Sequence, residues 1–174
     1  YHVARVWRSA RAIAATEPDV DYEILDAAGL LHDIGEKQPG RGNALVDVET
    51  LAQLLAPFEV PPEKYARIVQ AINEHSFSRG WAPGSIEAAI LQDADRLDAI
   101  GAIGVARAFA VGGARGRPLY DPSDPTNSLQ HFYDKLLKLK DRMNTAEGRR
   151  LAGRRHAFLE QFLAEFLREW GEPG

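Results

Sequence analysis

The apolar run Ile24-Leu25-Asp26-Ala27-Ala28-Gly29-Leu30-Leu31 leads straight into His32-Asp33-Ile34-Gly35-Glu36-Lys37. Apolar residues carry the chain into a core and then deliver an imidazole, two carboxylates and an ammonium. Burying His32 and Asp33 without partners would cost about 1–3 kcal/mol each. Any fold containing this stretch must therefore supply partners at that point. A divalent cation does so, because neutral imidazole nitrogen and ionised carboxylate oxygen are both good ligands. Adjacent helical residues point about 100° apart. His32 and Asp33 can thus meet one ion only from the side or end of a helix, with further ligands supplied by other helices. The alternative is a plain helix C-terminus, with His32 and Lys37 near the negative end of the helix dipole. The octapeptide alone leaves both open.

Helical spacing recurs along the chain. Val3, Val6, Trp7, Ala10, Ile13 and Ala14 predict an amphipathic helix over 1–16. Glu17-Pro18-Asp19 breaks it, and Asp19 or Asp21 can cap a second helix over about 21–34. Gly35 to Gly42 reads as a turn-rich loop holding Glu36, Lys37 and Arg41. A short third helix carries Val46 to Phe58, and Pro61-Pro62 opens a fourth that ends near His75. A fifth, capped by Ser85, is expected to run to about Ala110. The Gly- and Pro-rich segment 112–127 cannot sustain a helix or a central strand. It is long for a passive connection, which leaves a mobile lid, a binding loop or a subunit contact. A sixth helix is expected over about 127–143 and a seventh over about 146–170. No segment shows sustained period-two alternation. The expectation is an all-α fold, one domain over 1–174, in a bundle of about seven helices.

Composition narrows the function classes. The net charge of −4 gives no global field for a nucleic-acid polymer or an anionic membrane. There is no Cys, which excludes disulfides and thiolate metal sites and fits a reducing cytoplasm. No apolar run reaches the roughly 18 residues of a membrane span, and there is no signal-peptide pattern. The chain opens at Tyr1-His2 in mid-helix without a Met, so a preceding segment is expected to be missing. The oligomeric state is open, a homo-oligomer included.

Three acids, Asp93, Asp95 and Asp98, lie within the fifth helix, far from its start. A solvated face with Arg96 in local pairs is the plain account. Yet Asp95 and Asp98 are neighbours at i,i+3 while Asp93 points elsewhere. Asp95 shares its face with Leu91, Ala99 and Ala102, which favours an inward carboxylate facing a cation.

His2, the His32-Asp33 pair and Asp95 in Ala94-Asp95-Arg96-Leu97 resemble the H…HD…D signature of HD-domain metal-dependent phosphohydrolases. His2-Val3-Ala4-Arg5-Val6 is similar to the H-x-x-R-V of that superfamily's first helix. Asp93 to Ala99 and Phe132 to Thr145 look like a small bacterial branch of HD hydrolases, some of which are nucleoside triphosphate pyrophosphohydrolases. The resemblance covers nearly the whole chain. It implies His2, His32, Asp33 and Asp95 as ligands of one divalent ion, of the Mn, Fe, Co, Ni, Zn or Mg type. It implies hydrolysis of a small phosphorylated substrate, with Asp33 and Glu36 catalytic and Glu36 the general acid/base. Where alarmone hydrolases have two successive acids this chain has Glu36-Lys37, and Lys37 offers a cation to phosphate. His75 could line the site, assist a second ion as extra histidines do in some HD branches, or simply bond a backbone carbonyl at its helix end. Arg115 and Arg117, with Lys135 and Lys138, are the further candidates for an anionic substrate, a solvated face being the alternative for the lysines. His131 and His156 fall in polar surroundings and read as surface. Two other outcomes stay open: an idle regulatory module on the same fold, and an HD-fold di-iron oxygenase with additional His or Asp ligands.

Overall fold

The computed structural model describes residues 1–34, 37–38, 42–76 and 79–171, with Lys37–Gln38 and Gly42–Asn43 described by their backbone alone. The fold is all-α. Among the described residues it has eight α-helices: α1 His2–Ala14, α2 Tyr22–Leu31, α3 Val48–Leu55, α4 Tyr65–Glu74, α5 Ile86–Asp98, α6 Gly101–Ala114, α7 Gln130–Asp134 and α8 Ala146–Gly171. Strands β1 (Lys37–Gln38) and β2 (Gly42–Asn43) form a two-residue antiparallel ladder with Lys37 opposite Asn43. Two residues are too few to leave an alternating pattern, so the sequence showed only a loop there. The chain divides into two compact units, Tyr1–Asp95 and Arg96–Gly174, the boundary falling within α5. No single helix among the described residues is long and apolar enough to cross a membrane.

In the first unit α1 and α4 both pack on α2, and α3 packs on α4. The buried face of α1 is Val6, Ala10, Ile13 and Ala14, the i, i+4, i+7, i+8 set of one apolar stripe. It meets Ile24, Leu25 and Ala28 of α2, with Ile68, Ala71 and Ile72 contributed by α4. Each buried Ile or Leu contributes about 1.5–3 kcal/mol relative to exposure. Trp7 is tied down by a 2.7 Å bond from its Nε1 to Asp26 Oδ1.

Asp21 starts α2 by accepting from the backbone N–H groups of Glu23 and Ile24. Lys64 Nζ reaches the same carboxylate at 2.9 Å. Burial pushes the Asp21 carboxyl up, but the Lys64 hydrogen bond, that of the Ile24 N–H and the Lys64 charge outweigh it and hold the group below its usual range. Such a carboxylate stabilises the fold above its unfolded pKa of about 3.9, and the contribution is lost as pH falls through the lower folded value. Asp21→Ala is expected to cost about 1 kcal/mol at pH 7 through the lost cap. The gap to wild type should shrink below pH of about 4. Urea unfolding at both pH values checks this, and an undiminished gap at low pH would contradict it.

In the second unit α6 packs on α8. The apolar run from Ile86 onward was expected to continue as one helix to about Ala110, but it breaks before Gly101. Gly101 has φ +75, and a β-carbon there would lie 3.1 Å from Arg155 Cγ. Only glycine takes that backbone conformation without strain, so the run yields α5 and α6 as separate helices. Arg155 donates to the Leu97 carbonyl and Arg96 to the Arg142 carbonyl. An aromatic row joins Phe109, Phe132, Phe162, Phe166 and Trp170, with ring centroids 5.8–5.9 Å apart between neighbours. The helix expected over 127–143 is instead the short α7 followed by two 3₁₀ turns, Leu136–Lys138 and Lys140–Arg142. The turns bury Leu136 and Leu139, which lie three residues apart as a 3₁₀ repeat requires.

The segment 112–127 is more ordered in its bonding than its Gly and Pro content suggests. Its first three residues complete α6, which closes on Gly116 at φ +67. The Gly116 N–H bonds Gly113 O and the Arg117 N–H bonds Gly112 O, both at 3.0 Å, a Schellman ending. Asp121 and Asp124 each close an Asx turn, onto the N–H groups of Ser123 and Thr126. Ser128 N and Leu129 N then bond the carbonyls of Pro118 and Leu119.

Candidate metal centre

Four polar side chains of the first unit converge from three helices. His2 opens α1, His32 caps the C-terminus of α2, Asp33 follows it, and Asp95 comes from α5. His32 is fully buried. Its Nδ1 lies 2.8 Å from the carbonyl of Gly29, three residues back in the same helix. A carbonyl only accepts, so Nδ1 carries the proton. Burial also holds the His32 pKa below its ordinary value, against the hydrogen bond to Gly29. The imidazole is therefore neutral near pH 7, and its Nε2 presents a lone pair.

That lone pair faces His2 Nε2 at 3.2 Å. His2 Nε2 in turn lies 3.4 Å from Asp95 Oδ1 and 3.7 Å from Asp33 Oδ2. Ligand atoms of His2, His32 and Asp33 all fall within 4.8 Å of one another. Atoms bound to one ion at about 2.0–2.2 Å stand about 3–3.5 Å apart when adjacent and about 4.2 Å apart when opposite. The three spacings from His2 Nε2, 3.2, 3.4 and 3.7 Å, lie in that range; Asp95 is placed by its distance to His2 and falls outside the 4.8 Å group of His2, His32 and Asp33. The donor set, two neutral nitrogens and two carboxylates, suits a divalent transition metal. A ligating His whose other ring nitrogen donates to a backbone carbonyl is the usual arrangement around such ions.

Asp95 reinforces this. Burial pushes its carboxyl up, yet the hydrogen bond from His2, together with its neighbours, outweighs this and holds it below the usual carboxylate range. The Asp95 side chain faces His2 and keeps about a quarter of its surface exposed, at 27%. Asp93, expected to point elsewhere, is fully buried, and Asp98 is buried and paired with Arg107. Neither belongs to a solvated face.

His75 caps the C-terminus of α4 as His32 caps α2. Its Nδ1 donates to the carbonyl of Ile72, again three residues back. Its ring centroid is 5.2 Å from that of His32, with the planes at 81°. His75 thus bonds a carbonyl at its helix end and lies edge-on to His32. Glu36 and Arg41 lie outside the described residues, as does the side chain of Lys37.

The other expected substrate contacts lie in the second unit. Arg115, Arg117 and Lys135 line one cavity there, and Lys138 is exposed and not on its lining. Arg107, Ser128 and His131 join them. His131, expected at the surface, is half-buried, and His156 is buried with its Nε2 3.4 Å from Glu160. The sequence carried a signal for one wall of the cavity, since Arg107, Val111 and Arg115 recur at i, i+4, i+8.

The HD domain family model matches residues 1–100, the stretch that contains His2, His32, Asp33 and Asp95. The chain belongs to the HD domain family. This HD protein is 41% identical over 174 residues to the uncharacterized protein YpgQ of Bacillus subtilis, covering 97% of this chain and 82% of that one. It is similar to the crystal structure of an HD-superfamily hydrolase from Bacillus thuringiensis, with a TM-score of 0.81 and 39% identity over 99% of this chain and 86% of that one. It is equally similar to the structure of B. subtilis YpgQ in complex with ADP, with a TM-score of 0.83 and 38% identity over the same shares. At family level the chain is an HD-superfamily hydrolase.

Proposed function

We propose that this HD protein is a metal-dependent phosphohydrolase acting on a small phosphorylated metabolite of the nucleotide class. The observation that carries the reading is the buried His32 Nε2 lone pair, 3.2 Å from His2 Nε2 and flanked by Asp33 and Asp95. Such a set, imidazole nitrogen beside carboxylate oxygen, is a good ligand set for a divalent cation. A divalent ion held by His2, His32, Asp33 and Asp95 supplies Lewis acidity and lowers the pKa of bound water. The related YpgQ was crystallised with ADP, which supports a nucleotide as the ligand class.

The chain's own residues do the rest. His32 stays neutral because Gly29 O fixes its tautomer and burial disfavours its charge. Asp33 and Asp95 provide the negative charge that selects a cation over a neutral ligand. Glu36, three residues beyond Asp33, receives the proton of the attacking water and returns it to the leaving oxygen. Lys37 sets a cation against the phosphate. His75 borders the cluster and contributes an imidazole to the substrate side.

A panel of nucleoside mono-, di- and triphosphates with Mn²⁺, Mg²⁺, Co²⁺ and Ni²⁺, assayed for phosphate and pyrophosphate, tests this. Turnover is expected only with an added ion and is abolished by chelator. Release of pyrophosphate from triphosphates would identify a nucleoside triphosphate pyrophosphohydrolase. No turnover with any pair would overturn the reading in favour of an idle module.

A further inference from the structure

The cavity of the second unit, about 160 Å³, is built without any residue of the metal cluster. Arg115 and Arg117 flank the Schellman ending of α6, whose two backbone bonds fix where both side chains start. Among the described residues no carboxylate pairs with either guanidinium. Arg107, on the same lining, is already matched by Asp98.

Two further observations separate this cavity from an ordinary basic surface. Ser128 is 2% exposed, and its hydroxyl oxygen has no hydrogen-bond partner among the described residues. It sits over Gly112, where a β-carbon would fall 2.0 Å from Ser128 Oγ. The glycine therefore leaves room for a buried hydroxyl that the fold does not satisfy. Leaving such a group unmade costs about 1–3 kcal/mol. His131 is the second. Burial lowers its pKa, and the charges of Lys135, Arg117 and Arg115 add to this against Asp134. The cavity is thus electropositive at a half-buried imidazole. The negative end of α6 accounts for cations at 115 and 117, but not for an unsatisfied hydroxyl or a repelled imidazole beside them.

We propose that this cavity binds a compact oxyanion of the phosphate class, held by the guanidiniums of Arg115 and Arg117 and by the Ser128 hydroxyl. At about 160 Å³ the space is below the roughly 300 Å³ at which pockets for whole drug-sized ligands begin. An inorganic phosphate or pyrophosphate suits it better than an entire nucleotide. Guanidinium is matched to such anions by its planar fork of donors. The inference rests on the second unit alone and does not depend on the hydrolase reading.

Titration of the full chain with pyrophosphate in the presence of chelator tests it, read by calorimetry and by the imidazole resonances of His131. Saturable binding is expected without added metal, with the His131 pKa rising as the anion offsets its cationic neighbours. Arg117→Gln and Arg115→Gln should each weaken binding by about 10- to 100-fold, the worth of a hydrogen bond to a charged group. Ser128→Ala should weaken it less, while Asp33→Asn in the first unit should leave it unchanged. Absence of binding to wild type, or binding that survives both arginine variants, would overturn the proposal. So would binding lost in Asp33→Asn but kept in Arg117→Gln. If an arginine variant fails to fold, the wild-type His131 titration decides: a pKa unmoved by pyrophosphate contradicts the proposal.

Discussion

Asp33→Asn is expected to lose metal and turnover together. The substitution keeps the shape of the side chain and removes the charge that makes it a ligand. His2, His32 and Asp33 have their ligand atoms within 4.8 Å of one another, so losing one leaves the other two poorly matched to an ion. Residues that only orient a ligand cost about 10- to 100-fold in metal affinity or activity when changed. A ligand itself should cost at least about 100-fold by the same scale. The fold should survive, because Asp33 is part-exposed and contributes no apolar burial. Equilibrium dialysis against Mn²⁺ and a rate assay on the same sample check this. Full metal binding with lost turnover would make Asp33 a catalytic group and not a ligand.

Glu36→Gln is expected to give the opposite pattern. In the sequence Glu36 follows Gly35, a residue type that permits a change of chain direction. A carboxylate placed there can handle protons without binding the ion. The near-isosteric amide should keep metal and fold, while turnover falls by about 10²–10⁴, the usual range for losing a general acid or base. Metal loss in both variants would make Glu36 a ligand. Unchanged turnover would remove it from the mechanism.

The sequence pointed to His32, Asp33 and Asp95 because their chemistry conflicts with their surroundings, whereas His2 entered only through the resemblance to the HD signature. An apolar run that ends on His32-Asp33 needs partners, and Asp95 shares a helical face with Leu91 and Ala99. Helix starts were equally legible, since Asp21 and Ser85 cap as their types and positions suggest. What failed was continuity. Gly101 looks like one more small residue in an apolar run, and only its positive φ shows that the run bends there. Leu136 and Leu139 fit an α-helical stripe on paper, yet the structure winds them as 3₁₀ turns. The basic cavity was half seen: the arginines and Lys135 were visible as charge, but Ser128 and His131 are brought to them only by tertiary packing. A polar residue in polar sequence gives no sign that it will be buried.

The central claim is that His2, His32, Asp33 and Asp95 hold one divalent ion. Anomalous diffraction at the manganese edge, on crystals grown with Mn²⁺, tests it most directly. The account predicts one strong peak about 2.0–2.4 Å from Nε2 of His2 and of His32 and from the carboxylates of Asp33 and Asp95. A manganese-loaded crystal with no peak among these four side chains would contradict it.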